Sequence, residues 1–225
     1  MNEIFEEALG WYATQAQKQE GYRNRIDQLR GVLDCIGDDF SFAKVTCIET
    51  GASQNWADGG VGGFFAKACE LSGGDFYSVD ISDDIVNKSV KFYNKLGVDV
   101  NHYVQDSVGF LEETKVVPNL VHLDSWDLDL KNPFPGALHG WREFLAIEGK
   151  MPVGSVLIID DNFFKGTWVT WNYSGGGSER IDINYPIVGK GGNVWHYVEG
   201  GDSDWEKLSQ DTVGGNVKLV YRKVK

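Results

Sequence analysis

The sequence predicts an α/β fold: a doubly wound, mostly parallel sheet of seven strands that closes on an antiparallel C-terminal hairpin, with helices at the N-terminus. Three observations predict it. Short apolar or β-branched runs alternate with helical stretches from about residue 44 onward. Each of the first five runs leads into an acid, at Glu49, Asp80, Asp106, Asp124 and Asp160, so these carboxylates fall along one rim of one sheet. The last two runs are joined through Gly214-Gly215-Asn216, a spacing that makes a hairpin.

The elements follow in order. Residues 1 to about 37 read as helical, because Ile4, Phe5, Ala8, Leu9 and Tyr12, then Tyr22, Ile26, Leu29 and Leu33, recur at helical spacing, with Gly21 as a break. This extension to about residue 40 either covers a sheet edge or caps a pocket. Val45, Thr46 and Ile48 form a buried strand that ends in Glu49, and Gly51 lets the backbone turn sharply before a helix over 64–71. A strand over 75–80 ends in Asp80. Ser82 then caps a helix that runs to Leu96, with Asp83 and Asp84 in its first turn and Gly97 at its end. A strand over 98–104 leads into Gln105-Asp106-Ser107 and a helix over 108–113, where Asp106 serves as a cap or faces a ligand. The fourth strand, 118–124, ends in Asp124 and continues into Ser125-Trp126-Asp127. After a helix over 136–147, the fifth strand, 156–159, ends in Asp160-Asp161-Asn162. Residues 163–186 read as a long loop with Trp168, Trp171, Tyr173 and Gly175-Gly176-Gly177, expected to be an ordered substrate loop. A helix over 194–198 and strands over 205–210 and 217–224 complete the chain.

Composition bounds the function. At 225 residues the chain is long enough for one α/β domain with a full core, so 1–225 is expected to be a single domain. A net charge of −12 argues against nucleic-acid binding and against docking on anionic lipid. No apolar run is long enough to span a membrane, and the acidic N-terminus is unlike a signal peptide, so a cytoplasmic location is expected. Cys35, Cys47 and Cys69 lack zinc-type spacing; Cys47 and Cys69 read as buried thiols in a reducing compartment. Monomer and homodimer are both left open.

A strand, a glycine turn and a helix N-terminus cradle nucleotides in doubly wound sheets. A pyrophosphate would be repelled by Glu49, whereas a cationic ligand would not. That contrast points to S-adenosylmethionine (SAM), whose amino group and sulfonium are positive, although a plain strand-to-helix turn has the same local pattern. Asp80 is placed to accept from ribose hydroxyls, about 30 residues after Gly51, a spacing lengthened by the Gln54–Gly60 insertion.

The chain from about residue 44 to 225 resembles the class I SAM-dependent methyltransferases, which have a Rossmann-like sheet. Glu49-Thr50-Gly51-Ala52-Ser53 looks like their first motif, Asp80 with Ile81 like the ribose-binding acid and its neighbour, and Gln105-Asp106-Ser107 like the adenine-side motif. The family has more glycine in the first motif and a Gly where this chain has Gln105. Leu123-Asp124-Ser125-Trp126 and Val156–Asn162 resemble the metal-dependent catechol-type O-methyltransferases. That resemblance implies Mg²⁺ held by Asp124, Asp161 and Asn162. The doubled acid also resembles that of sugar O-methyltransferases, which makes Asp160 the fallback ligand. It implies Glu49, Gly51, Ser53, Asp80, Ile81, Asp106, Ser107, Asp124 and Trp126 around SAM, and a small-molecule hydroxyl acceptor, a sugar or a catechol. The catechol-type enzymes carry a lysine base three residues after their first metal acid. This chain has Asp127 there, either a base or a solvated turn acid, with Lys165, His122 and His139 as other candidates. A SAM-binding protein without catalysis, in a regulatory or assembly role, is the alternative reading.

Overall fold

The computed structural model describes residues 2–18, 25–37, 40–56, 60–172, 177–210 and 215–225. Gly21, Tyr22, Tyr173, Gly175, Gly176, Gly214 and part of the 54–60 insertion lie outside the described residues.

Five strands, β1 (Cys47–Thr50), β2 (Phe76–Asp80), β3 (Asn101–Val104), β4 (Leu120–Leu123) and β5 (Val156–Phe164), pair in parallel. Two later strands, which with those between are β6 (Trp168–Asn172), β7 (Ser178–Asp182), β8 (Ile187–Gly189), β9 (Trp205–Lys207) and β10 (Val217–Lys223), complete the main order β3-β2-β1-β4-β5-β10-β9. β10 is antiparallel to both β5 and β9. The main order holds the expected seven strands with their C-terminal hairpin, and β8, paired with β5 off that path, makes an eighth. β1 and β4 are buried along their whole lengths, as central parallel strands must be when both faces are covered.

The covering helices are α1 (Asn2–Ala16), α2 (Ile26–Ile36), α3 (Val61–Ser72), α4 (Asp83–Leu96), α5 (Ser107–Glu113), α6 (Phe134–Ile147) and α7 (Gly192–Glu199). Strand alternation divides the core. Cys47, Phe76, Leu120 and Ile158 pack with α1–α4, whereas Ile48, Val79, Val121 and Ile159 pack with α5–α7. The N-terminal helices are a covering layer: the Phe5 ring lies 6.2 Å from Phe64 of α3, and Tyr12 lies 5.4 Å from Trp56. α2 packs on β10, and its capping residue Arg25 reaches the rim of the sheet. Among the described residues, no helix is long and apolar enough to cross a membrane. Cys47 and Cys69 are buried and free, and burial pushes the Cys47 thiol well up.

Two expectations are corrected. The stretch 163–186 is not one loop. β5 continues through Phe164, β8 pairs antiparallel with that extension, and β6 and β7 form a separate two-stranded ribbon. The fifth strand likewise does not stop before Asp160. Ile159 pairs with Leu219 and Asn162 with Val217, so Asp160 and Asp161 together oppose Lys218 alone. That is a β-bulge, with Asp161 at φ +56°.

Candidate functional site

The carboxyl ends of β1, β2, β4 and β5 and the N-terminus of α5 surround a cleft of about 550 Å³. Gly51 forms its floor at φ +79°, where a Cβ would lie 2.6 Å from the Asp124 carbonyl oxygen. Only glycine permits both that conformation and that approach of β1's end to β4's. Asp80 enters from β2, and its orientation is fixed: Oδ2 accepts from the Ala52 N–H (3.2 Å) and Oδ1 from the Ser82 N–H (2.8 Å). Ile81, 72% exposed, adds an apolar surface beside it. Asp106 caps α5 through Gly109 N–H (3.0 Å) while still lining the cleft, so its two readings coexist. Ser107 Oγ lies 3.0 Å from His139 Nε2, and the His139 ring lies 5.1 Å from that of Trp126. Ser53, Asp124, Asp127, Asp160 and Asp161 complete the sequence-predicted residues that meet here.

Glu49 does not meet them. It is fully buried and accepts from Ser53 N (3.2 Å), Ser53 Oγ (2.9 Å), Ser78 Oγ (3.1 Å) and Tyr93 OH (3.2 Å). It ties the turn after β1 to β2 and α4 rather than facing a ligand. The reason is register: Glu49 is the third residue of a strand covered on both faces, not the residue after it. His122, one candidate base, is buried between Glu49 (3.8 Å) and Asp160 (3.9 Å), and both its ring nitrogens lack hydrogen-bond partners. Lys165 is exposed at the turn after β5 and does not line the cleft.

The implied metal set fits poorly. Asn162 is fully buried, its amide donates to the Ile159 and Asp160 carbonyls (2.9 Å each), and its Oδ1 accepts from Gly191 N (2.8 Å). It points inward because it sits beyond the bulge, paired with β10 and β8. His122, Asp124 and Asp160 do place ligand atoms within 4.8 Å of one another. However, Asp124 Oδ1 already binds Lys190 Nζ (2.7 Å), and Asp160 is paired at short range with Lys218. Lys190 also reaches Asp161 Oδ2 (2.8 Å), whose Oδ1 accepts from Asn216 (2.6 Å). The residues present therefore do not fit a divalent ion.

These lysines resolve the crowding of acids along the rim. Burial opposes the Lys190 charge, but Asp124, Asp161 and Asp160 outweigh it and hold the ammonium well above the ordinary lysine range. Burial likewise opposes the Asp160 charge, but Lys218 foremost holds its carboxyl well below the usual carboxylate range. Burial pushes the Asp124 carboxyl up, with Lys190 pulling it back.

Sequence reasoning missed Lys190, Lys218 and Arg25. Lys218 alone carried a local signal, a lysine at an inward position of Val217–Tyr221; Lys190, between Gly189 and Gly191, and Arg25 carried none. A second cleft of about 520 Å³ continues from the first across Asp127 and Asp161, walled by Leu128, Leu130, Phe163 and Val169.

No protein-family model matches this chain, and no curated protein sequence matches it. Solved structures do share its fold. A SAM-dependent methyltransferase from Clostridium acetobutylicum ATCC 824 is 10% identical, with a TM-score of 0.52 over 98% of this chain and 98% of that one. A putative methyltransferase from Streptococcus mutans, in complex with S-adenosylhomocysteine (SAH), is 12% identical, with a TM-score of 0.53 over 89% of this chain and 98% of that one. An rRNA methylase from Streptococcus thermophilus is 12% identical, with a TM-score of 0.50 over 85% of this chain and 93% of that one. The sheet is thus that of the Rossmann-like methyltransferase fold.

Proposed function

We propose that this protein is a SAM-dependent methyltransferase that methylates a hydroxyl of a small molecule. The observation that carries the reading is the convergence of the Gly51 turn, Asp80 and Asp106 on one cleft at the strand ends of a sheet with this order. Asp80, held by two backbone N–H groups, presents its carboxylate to ribose hydroxyls. Asp106 and Ser107 face the adenine, and Ile81 and Trp126 offer it apolar surface. With Glu49 buried, the partly exposed Asp124 takes the amino group, and Arg25 faces the carboxylate.

SAM bound there supplies a methyl group already activated on a sulfonium. The chain's own residues then have to align an acceptor oxygen and accept its proton. The second cleft, apolar with Asp127 and Asp161 at its entrance, is the acceptor side, and Asp127 at the seam is the proposed base. The catechol-type route through Mg²⁺ is set aside because lysine ammoniums occupy its carboxylates. An RNA acceptor is disfavoured by the net charge of −12.

Calorimetric titration with SAH tests the reading. Wild-type protein is expected to bind, and Asp80→Ala is expected to lose about 1.5–3 kcal/mol of affinity, the contribution of a charged hydrogen-bond acceptor. No binding by the wild type would sink the proposal, and unchanged affinity in Asp80→Ala would remove that residue from the site.

A further inference from the structure

We propose that the Lys190 ammonium is a built-in cation that occupies the place of a divalent metal, so that the acidic rim of the cleft needs no ion. An ammonium has three N–H donors. Lys190 directs hydrogen bonds to the Asp124 carbonyl (2.9 Å), Asp124 Oδ1 (2.7 Å) and Asp161 Oδ2 (2.8 Å), so every donor is used. Those are hydrogen-bond separations. Mg²⁺ sits about 2.0–2.1 Å from its oxygens, so each carboxylate oxygen would have to move in by about 0.7 Å.

The lysine cannot readily withdraw. It is 4% exposed, and it follows Gly189 at φ +144°, where any Cβ would meet the Asp161 carbonyl oxygen at 2.1 Å. Lys218 treats Asp160 in the same way, with its side chain 4% exposed. Three carboxylates, Asp124, Asp160 and Asp161, therefore face two ammoniums. The formal remainder of one negative charge suits a monocationic ligand and undercompensates a dication.

Ion binding tests this without reference to methyl transfer, so its failure and that of the proposed activity are separately visible. Chelator-treated wild-type protein titrated with MnCl₂ is expected to show no saturable site tighter than about millimolar. Lys190→Ala removes the ammonium and leaves Asp124 and Asp161 facing an open volume. It is expected to gain a Mn²⁺ site at least about tenfold tighter and to melt higher when Mn²⁺ is added. A tight Mn²⁺ site in the wild type that Asp161→Asn abolishes would overturn the proposal. So would a folded Lys190→Ala with no gain in ion affinity. If Lys190→Ala fails to fold, the wild-type and Asp161→Asn titrations decide the matter alone.

Discussion

Asp127 and His139 are the candidate bases from the sequence that line the cleft; the other carboxylates there, Asp80, Asp106, Asp124, Asp160 and Asp161, already hold backbone N–H groups or lysines. Asp127 is exposed and borders both clefts, where an acceptor oxygen in the second cleft would meet the first. His139 is committed to protein partners: its Nε2 lies 3.0 Å from Ser107 Oγ and 3.5 Å from Glu143 Oε1. Asp127→Asn keeps the shape and removes the basicity. It is expected to lower turnover by about 10²–10⁴-fold and to leave SAH affinity unchanged. Parallel turnover assays on His139→Gln with a panel of diol acceptors provide the comparison. If the loss falls on His139→Gln instead, the imidazole is the base and Asp127 is a solvated turn acid. Local backbone supports a functional reading of this corner. Among the described residues, the non-glycine positions with positive φ are Trp126 (+69°) and Asp161 (+56°), and both line the cleft. Asp80 and Asp106 were legible in the sequence because a strand end alone fixes their position. Lys190 was not, because its partner Asp124 lies 66 residues away and nothing local marks the pairing.

At the scale of elements, the β5 bulge does the aiming. One extra residue on β5 turns Asp160 toward Lys218 and Asp161 toward Lys190, where an unbroken ladder would send neighbouring side chains to opposite faces. Asp160 and Lys218 are both largely buried, so removing one partner strands the other. Lys218→Met is expected to cost about 3–5 kcal/mol in urea denaturation, and Lys218→Met with Asp160→Leu to recover much of it. A cost below about 0.5 kcal/mol for the single variant would mean that water screens the pair. The same element explains the main misreading of the chain. Asp160-Asp161-Asn162 is a poor strand-former by composition, so local reasoning ends the strand at Ile159. β8 and β10 supply backbone partners that carry it on to Phe164, and that extension consumes Asn162. The main sheet order, in contrast, was legible, because alternating strand and helix patterns and a terminal hairpin leave few topologies. Glu49 was misplaced by register, since one residue decides whether a side chain faces the interior or the rim.

For the whole molecule, the buried ion pairs set how folding stability depends on pH. Asp160 has a folded pKa below its unfolded value of about 3.9, so its contribution is complete above about pH 4 and is lost as pH falls through the lower folded value. Lys190 has a folded pKa above its unfolded value of about 10.4, so its contribution is complete below that pH and is lost as pH rises toward the folded value. Asp124 works against the acid limb, because burial raises its carboxyl and the folded state binds that proton more readily. The net charge of −12 adds a further opposing effect, since acid relieves the self-repulsion of the compact state. The absolute acid limb therefore mixes several groups, and the difference between proteins isolates the site. Urea midpoints measured from pH 2 to 11 on wild type and on Asp160→Asn with Lys218→Met are expected to run in parallel between about pH 5 and 9. Below about pH 4 they should converge, as the wild type loses what the variant never had. Curves that remain parallel down to pH 2 would show that Lys218 does not hold Asp160 ionised, and the account of the rim as a neutralised ion network would fail with it.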